Sequence, residues 1–144
     1  MTNLALRSDI DSFQHAINCL PEDRQLPKEA FPLKHYVTNN GLYAREIILP
    51  ANTVVVGKIK KHEYISIISS GLVTEVSEAG QQHIRAPYTM VCEPGTKRVV
   101  WAHTTAVWVT IHAVEPEEQD LDAMYDYLVA SSYEEVDKLL GDFK

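Results

Sequence analysis

The sequence predicts an all-β sandwich or barrel, with one helix before it and two short helices after it. Eight short runs rich in β-forming residues follow one another, and turn sequences such as Ser69-Ser70-Gly71 and Pro94-Gly95 separate them. Short strands at this spacing are typical of sandwiches and barrels, and not of alternating strands and helices. The predicted strands cover residues 42–49, 53–58, 63–68, 72–77, 83–85, 88–92, 98–102 and 106–114.

A helix is predicted over residues 8–20, before the strands. Ser8 can cap its first turn, and Pro21 ends it. One face of this helix carries the apolar residues Ile10, Phe13, Ile17 and Leu20. A proline-marked connection follows and closes with a turn sequence at residues 39–41. We therefore assign residues 1–41 to a helix and a connecting segment, and residues 42–114 to the barrel.

The C-terminal region, residues 115–144, returns to helix. Its first half carries an apolar stripe of Leu121, Met124, Tyr125 and Leu128. Ser132 and Glu135 have the spacing of a capping box and predict a last helix, which carries Val136, Leu139 and Leu140. Apolar stripes of this kind are packing surfaces. We expect the two helices to cover the outside of the barrel or to pair with another subunit.

The negative charge of the chain is concentrated in this C-terminal region. The net charge at pH 7 is −7. Residues 115–144 contain ten acids and two bases, a charge of −8, which leaves +1 for the rest of the chain. Because no basic stripe is present, duplex nucleic acid is not an expected partner. No apolar run is long enough for a membrane helix, so no membrane partner is expected either.

The composition indicates one domain of a soluble, cytoplasmic protein. A length of 144 residues with 45% apolar content is enough for one hydrophobic core. Cys19 and Cys92 are too few for a disulfide scaffold, and we expect both to be small buried residues of a reducing compartment. The polar N-terminus does not have the pattern of a secretory signal.

The turns of the β-rich region resemble the two motifs of the cupin (RmlC-like jelly-roll) superfamily. Gly71 fits the glycine that closes the first motif, and the segment 93–98, Glu-Pro-Gly-Thr-Lys-Arg, resembles the second motif. This resemblance covers about half of the chain and implies a jelly-roll barrel. It places Lys58 and Lys60 where the family has two histidines, and Tyr64 at the position of the acid. Arg98 stands at the histidine of the second motif, so every residue at a metal-ligand position of the family differs here.

Some phrases resemble a narrower group, the small cupin-like proteins of tailed bacteriophages and prophages. They are Tyr43-Ala44-Arg45-Glu46, Val55-Val56-Gly57-Lys58 and the segment 94–100. In those relatives a His-x-His-x-His run occupies the places of Lys60, His62 and Tyr64. This resemblance implies a protein of the host cytoplasm or of the virion. Because cupins often pair through their sheets, it also implies a homodimer or a higher homo-oligomer.

Strand alternation predicts a positively charged pocket. Side chains alternate between faces along a strand, and the cupin resemblance implies that one set faces the barrel lumen. The predicted ligand-binding residues are Lys58, Lys60, His62, Tyr64, Arg98, Trp108 and His112, with Arg45 near the same space. Buried cations need acids, water or an anion, and the planar arginine fork suits phosphate or carboxylate. The alternative is that the lysines face solvent on an edge strand.

The residues of this predicted pocket are compatible with three hypotheses about function. The leading one is non-catalytic binding or sequestration of a small anionic ligand, such as a nucleotide or a phosphorylated metabolite, as counter-defence in a phage context. The second is a structural or assembly protein of a phage. The third is a metal-dependent oxygenase or isomerase, in which His62 and His112 are the candidate ligands of a divalent metal. No cofactor is expected, because lysine and arginine repel a metal ion, and no nucleophile is paired with a base.

Overall fold

The computed structural model describes residues 4–20 and 31–141. Its helices and strands, in chain order, are α1 (Leu4–Asn18), β1 (Leu33–Val37), β2 (Leu42–Leu49), β3 (Thr53–Val56), β4 (Ile59–Lys60), β5 (Tyr64–Ser70), β6 (Leu72–Ser77), β7 (Gly80–Arg85), β8 (Tyr88–Cys92), β9 (Val99–Ala102), β10 (Ala106–Ala113), α2 (Leu121–Leu128), β11 (Val129–Ala130) and α3 (Tyr133–Gly141). The prediction of an all-β barrel with one helix before it and two after it is confirmed.

Two antiparallel sheets face each other and enclose the core. One sheet has five strands in the order β1-β2-β10-β5-β8, and the other has four in the order β3-β9-β6-β7. The short strands β4 and β11 form a separate pair. The core between the sheets is built from alternate residues of the strands, which is the expected pattern when each sheet buries one face. Its buried members are Leu49, Ile68, Val73, Ile84, Val100, Ala102, Ala106 and Trp108.

Gly71 makes the tight turn between β5 and β6 possible. Its φ angle is +100°, in the left-handed region that favours glycine. A Cβ atom at this position would lie 2.7 Å from Ala106 Cα and 2.7 Å from the carbonyl oxygen of Thr105. The backbone at the start of β10 therefore occupies the space that a side chain at position 71 would need.

The barrel begins earlier in the chain than the sequence predicts. Residues 33–37, which the prediction treats as a connection, form β1 and pair with β2 in antiparallel fashion. Leu33 and Tyr36 on this edge strand are 42% and 52% exposed. Because both faces of β1 are largely exposed, the strand has no apolar alternation by which the sequence could reveal it.

The N-terminal helix is confirmed, but its predicted cap is wrong. The helix begins at Leu4, so Ser8 lies within it, and it ends at Asn18. Of the predicted apolar stripe, Ile10 is buried and Phe13 is exposed. Cys19, which follows the helix, is exposed, so the prediction that both cysteines are buried holds for Cys92 alone.

Ion pairs fasten this helix to the rest of the protein. Arg7 Nη1 lies 2.7 Å from the Asp137 carboxylate of α3. Lys97 Nζ lies 3.0 Å from Asp11, and the Arg7 guanidinium stacks over the ring of Tyr133 at 4.3 Å. Charged contacts therefore attach α1 to the rest of the protein in addition to the buried Ile10 of the predicted apolar stripe.

The strand predicted over residues 53–58 is shorter in the structure. It ends at Val56, and Ile59–Lys60 forms the separate strand β4, which pairs with Val129–Ala130 at the end of α2. The chain then bends at residues 61–62 before β5 begins at Tyr64. This bend interrupts the alternation of side chains on which the predicted pocket depended.

The C-terminal helices pack on the barrel of the same chain. Asp120 caps α2 by accepting a hydrogen bond from the Asp122 backbone N–H. Met124 and Leu128 of α2 pack with Tyr43 and Val114 of the barrel. Two of the four residues of the predicted apolar stripe therefore pack on the barrel of the same chain, and the other two, Leu121 and Tyr125, are exposed.

A capping interaction of the predicted kind begins α3. Ser132 Oγ accepts a hydrogen bond from the Glu135 backbone N–H at 3.2 Å. The Glu135 carboxylate accepts from the backbone N–H and the hydroxyl of Ser131, both at 2.7 Å, and so reaches one residue further back than a capping box requires.

Within residues 4–20 and 31–141, no helix is long and apolar enough to cross a membrane.

Candidate functional site

Two connected chambers open at one end of the barrel. The inner chamber, of about 120 Å³, lies between the sheets and is lined by Val55, Trp108 and Arg98, among others. The outer chamber, of about 380 Å³, lies between strands β1 and β2 and helix α2. Arg45, Lys58 and Lys60 line both chambers, so these three residues mark the junction. They are called the cationic cluster below.

Strand β2 positions Arg45 and Tyr43 on the inner side of the sheet. The two residues are separated by two positions, so their side chains point to the same face. On the neighbouring strand β10, Thr110 stands opposite Arg45, and His112 stands opposite Tyr43. The register of one strand pair thereby places a cation, a phenol, a hydroxyl and an imidazole side by side.

Lys60 brings a cation into the barrel wall without an acidic partner. Its Nζ lies 3.5 Å from the carbonyl oxygen of Lys58 and 5.9 Å from the centre of the Tyr64 ring. Burial, together with neighbouring positive charges of which Arg45 is the strongest, lowers the pKa of Lys60 from 10.5 to about 8. Of the ion pairs among residues 4–20 and 31–141, none includes Arg45, Lys58 or Lys60.

Arg98, on the other side of the inner chamber, has a compensating acid. Its Nε lies 3.2 Å from the carboxylate of Glu75, which is buried, and the Arg98 side chain is 13% exposed. The angle between them does not meet hydrogen-bond geometry, so the attraction is chiefly electrostatic. Arg98 Nη1 also donates a hydrogen bond of 2.8 Å to the Tyr64 hydroxyl. The charge of Arg98 is therefore partly neutralised by Glu75, whereas the three residues of the cationic cluster have no such acidic partner among the described residues.

The titratable groups beside the cluster are kept neutral. The His112 ring stacks on Tyr64 with ring centres 4.9 Å apart. Burial, followed by the charges of Lys60 and Arg45, lowers the pKa of His112 to about 4. Burial raises the pKa of Tyr64 and that of Tyr43 above the usual value for a phenol. At neutral pH the positive charge at the junction thus comes from the cationic cluster.

A second hydrogen-bonded pair stands at the wall of the outer chamber. Nδ1 of His35 lies 2.6 Å from the Tyr43 hydroxyl. The Tyr43 ring in turn contacts the His112 ring at a centre-to-centre distance of 5.9 Å. These groups offer hydrogen bonds to a ligand in the outer chamber.

Six of the seven predicted site residues line the two chambers. The structure brings Lys58, Lys60, Tyr64, Arg98 and Trp108 to the inner chamber, and His112 to the outer chamber together with both lysines. The prediction that His62 shares this face is wrong. His62 lies in the bend between β4 and β5, and it is exposed and stacked on Tyr127 of α2 with ring centres 4.5 Å apart. Tyr88 lies on the edge strand β8, and its hydroxyl accepts a hydrogen bond from Gln82.

The sequence did not reveal two parts of the site. His35 lies on strand β1, which was not predicted, so no pattern could place it. The wall formed by Met124 and Leu128 was visible as an apolar stripe, but its position over the barrel mouth was not. Tyr43 could have been found, because it is in phase with Arg45 on a predicted strand.

The facing antiparallel sheets, the internal chamber and the helix across the mouth define a small double-stranded β-helix barrel. This is the cupin fold, and it confirms the fold that the turn motifs imply. KdgF from Halomonas sp. is similar at 15% identity with a TM-score of 0.54, over 72% of this chain and 96% of that chain. A cupin superfamily protein from Desulfitobacterium hafniense is similar at 8% identity with a TM-score of 0.51, over 67% and 95% of the two chains.

A third similar structure is an RmlC-like cupin family protein with a double-stranded β-helix fold from Methanocaldococcus jannaschii. It has 14% identity and a TM-score of 0.50, and the match covers 64% of this chain and 89% of that chain. No protein-family model and no curated protein sequence matches the chain. At these identities the likeness describes the fold, and the bacteriophage resemblance stays a prediction.

The residues in the chambers do not fit the metal that the cupin resemblance implies. A transition metal ion requires three or four nitrogen, oxygen or sulfur donors, and here lysine and arginine stand at the corresponding positions. In the part of the chain that the structure describes, no group of three His, Cys, Asp or Glu side chains is arranged to hold a metal. His62 and His112, the candidate metal ligands, are not brought together, because His62 lies outside the chamber that His112 lines.

Proposed function

We propose that this protein binds a small anionic molecule at the junction of the two chambers. One observation carries the proposal. Arg45, Lys58 and Lys60 converge there, and none of the acids that the structure describes forms an ion pair with them. Like charges in a partly dry site are costly unless a counter-charge is present. A bound anion is the counter-charge that this arrangement lacks.

The chemistry of the cationic cluster suits an anion with several oxygen atoms. Arg45 presents a planar fork of N–H donors, and the two lysines act as point charges. The partly neutralised Arg98 and the Tyr64 hydroxyl stand behind them in the inner chamber. We propose binding without a chemical step. His112 and Tyr64 beside the cluster stay neutral near pH 7, and Lys60, whose pKa is about 8, supplies a positive charge to the anion.

The first test is the Lys60→Gln variant, which removes one charge of the cluster and keeps a polar side chain. We expect it to bind inorganic phosphate about 10–100-fold more weakly than the parent protein, since a hydrogen bond to a charged group contributes about 1.5–3 kcal/mol. Isothermal titration calorimetry measures the change. Lys138→Gln, an equal charge change on the exposed side of α3, is the matched control. Equal phosphate affinity in all three proteins contradicts the proposed site.

We further propose that the ligand is a signal of a bacterial host and that the protein sequesters it. This step is supported by the resemblance of residues 43–46 and 55–58 to bacteriophage proteins. Native mass spectrometry of untagged protein from a bacterial host, before and after denaturation, tests it. Release of a stoichiometric anionic molecule is the expected result, whereas ligand-free protein from an infected host contradicts it.

A further inference from the structure

We infer that the ligand is an amphipathic anion: one acidic head group on an apolar body about the size of an aromatic ring. This inference rests on the proposed function and names the chemical class of the molecule. The head group would contact the cationic cluster at the junction, and the body would lie in the outer chamber against α2. Three observations support this division.

The first observation is the difference in size between the chambers. A water molecule occupies about 30 Å³ in the liquid. The inner chamber, at about 120 Å³, has room for a few atoms beyond the junction. The outer chamber, at about 380 Å³, is within the usual range of small-molecule pockets. The outer chamber therefore offers more space beside the cluster for the body of a ligand.

The second observation is the apolar wall of the outer chamber. Met124 and Leu128 form its buried floor and are 1% and 5% exposed. Around its rim, Leu33, Leu121 and Tyr125 also line the chamber but are 42%, 40% and 51% exposed. Burial of exposed apolar surface is the main driving force for association of apolar groups. A ring-sized apolar body would cover this rim, and one polar group on it could bond to the His35–Tyr43 pair at the wall. A sugar would turn most of its hydroxyl groups toward leucine and methionine.

The third observation is the uneven charge of the outer chamber. Arg45, Lys58 and Lys60 stand at its inner end, and Asp122 of α2 stands on its lining as well. A ligand with negative charge at both ends would bring one of them toward Asp122, and like charges disfavour that contact. The lining therefore selects a molecule with its charge at one end.

The test compares four probes by isothermal titration calorimetry at one pH and ionic strength. Phenyl phosphate carries head and body, inorganic phosphate carries the head alone, and glucose 6-phosphate carries the same head on a polar body. The fourth probe, 2-phenylethanol, carries the body without the charge. We expect phenyl phosphate to bind at least about tenfold more tightly than each of the other three, which corresponds to burial of part of one ring.

Two variants of α2 locate the body. Tyr125→Ser removes an exposed ring from the rim, and we expect it to weaken phenyl phosphate binding about three- to tenfold without changing the affinity for inorganic phosphate. Tyr127→Ser is the matched control, since Tyr127 is on the same helix but stacks on His62 outside the chambers. We expect it to bind both probes like the parent protein.

The outcomes separate the inference from the proposed function. If inorganic phosphate binds and phenyl phosphate binds no more tightly, or if glucose 6-phosphate binds best, the inference is overturned and the anion site stands. If none of the phosphate-bearing probes binds, both are overturned. Binding of 2-phenylethanol as tight as that of phenyl phosphate also overturns both, because the charge would then contribute nothing.

Discussion

The ammonium group of Lys60 lies in the barrel wall close to Arg45, and its pKa is lowered to about 8. The ligand-free protein therefore loses this charge not far above neutral pH, whereas a lysine in the unfolded chain keeps it to about 10.5. A bound anion favours the charged form and raises the pKa again. Anion affinity and the protonation of Lys60 are thus linked.

This linkage predicts the pH dependence of binding. With sulfate as the probe, whose charge is constant over this range, we expect affinity to fall as the pH rises through about 8, because the unliganded site gives up its proton. The Lys60→Arg variant should give a flat profile over the same range, since arginine remains protonated. Calorimetric titrations at pH 6.5, 7.5, 8.5 and 9.5 measure the two profiles. Parallel profiles for both proteins would show that Lys60 does not control binding.

The same pKa shift determines the sign of the effect on stability. Between pH 8 and pH 10.5 the unfolded chain holds the Lys60 proton and the folded protein has released it. The unfolded state then binds more protons, so the free energy of unfolding rises with pH in this window. At neutral pH the buried charge costs stability, and a bound anion offsets that cost.

His112 gives a dependence of the same sign in the acid range. Its pKa is lowered from 6.5 to about 4, so between these values the unfolded chain binds more protons and the folded protein loses stability as the pH falls. We expect the loss to reach about 1–2 kcal/mol at pH 5, and the His112→Gln variant to lack this part of it. Urea unfolding at pH 7.5 and pH 5 measures the change. An equal loss in the variant would assign the acid sensitivity to other groups.

The predicted positions of the site residues came from strand alternation and from the cupin resemblance together. The resemblance implied the positions of Lys58, Lys60, Tyr64 and Arg98, and the structure places all four in the inner chamber. The alternation failed at His62, because the chain bends at residues 61–62. His62 lies between the strands predicted over residues 53–58 and 63–68, and the alternation was extended across this gap. The two-residue bend breaks that extension.

Among the connecting elements, the turn at Gly71 is the one most sensitive to substitution. Gly71→Ala places a Cβ atom 2.7 Å from backbone atoms of the 105–106 loop, at a φ of +100°. Gly80→Ala has comparable backbone strain, with a φ of +117°, but its Cβ meets nothing within 4 Å. We expect Gly71→Ala to lower the free energy of unfolding by about 1–3 kcal/mol more than Gly80→Ala does, since only the former adds a clash.

Chemical denaturation of the two glycine variants beside the parent protein measures this difference. The Gly80→Ala variant serves as the control for backbone strain alone. Equal losses in the two variants would mean that the 105–106 loop moves aside at little cost. Such a result would contradict the close packing of this turn.

Strands with one buried face were predicted, and elements without an apolar pattern were not. The eight predicted strands all have counterparts, because each is a run of β-forming residues bounded by turn residues. Strand β1 is exposed on both faces, and β4 and β11 have two residues each, so none of them carries a periodic signal. The start of α1 was misplaced because Ser8 resembles a cap within a sequence that is helical on both sides of it.

At the scale of the whole molecule, we propose that the predicted homo-oligomer would form through the outer face of the five-stranded sheet. Ile65 on β5 and Val91 on β8 stand opposite each other on this face and are 41% and 62% exposed. We expect the protein to form a homodimer through this face, and Val91→Lys to shift it to the monomer, because a charge would be buried in the contact.

Light scattering coupled to size-exclusion chromatography measures the mass of each form. Trp101→Lys is the control, since Trp101 is an exposed apolar residue, at 47%, on the other sheet. A parent protein that is monomeric at the highest measurable concentration contradicts the prediction. So does a dimer that persists in Val91→Lys and dissociates in Trp101→Lys.

The position of α2 over the barrel mouth could not be predicted, because the contacts that fix it leave no hydrophobic pattern in the sequence. The amphipathic stripe of α2 shows that the helix packs on something, and Tyr43 and Val114 prove to be its partners. The contact that fixes its position is the β4–β11 pair, together with a hydrogen bond of 2.7 Å from the Lys61 backbone N–H to the Leu128 carbonyl. Neither contact has a counterpart in hydrophobic periodicity.

The β4–β11 pair also has a consequence for how the protein is made. Lys60 pairs with Val129, and Val129 is synthesised much later than Lys60. Strands β2 to β10 are complete in the nascent chain before α2 is synthesised, so the barrel can begin to fold first. The strand that carries Lys60 would then be without its partner until the end of translation. A nascent chain arrested before β11 emerges would therefore possess a barrel in which the strand that carries Lys60, and with it the proposed anion site, is still incomplete.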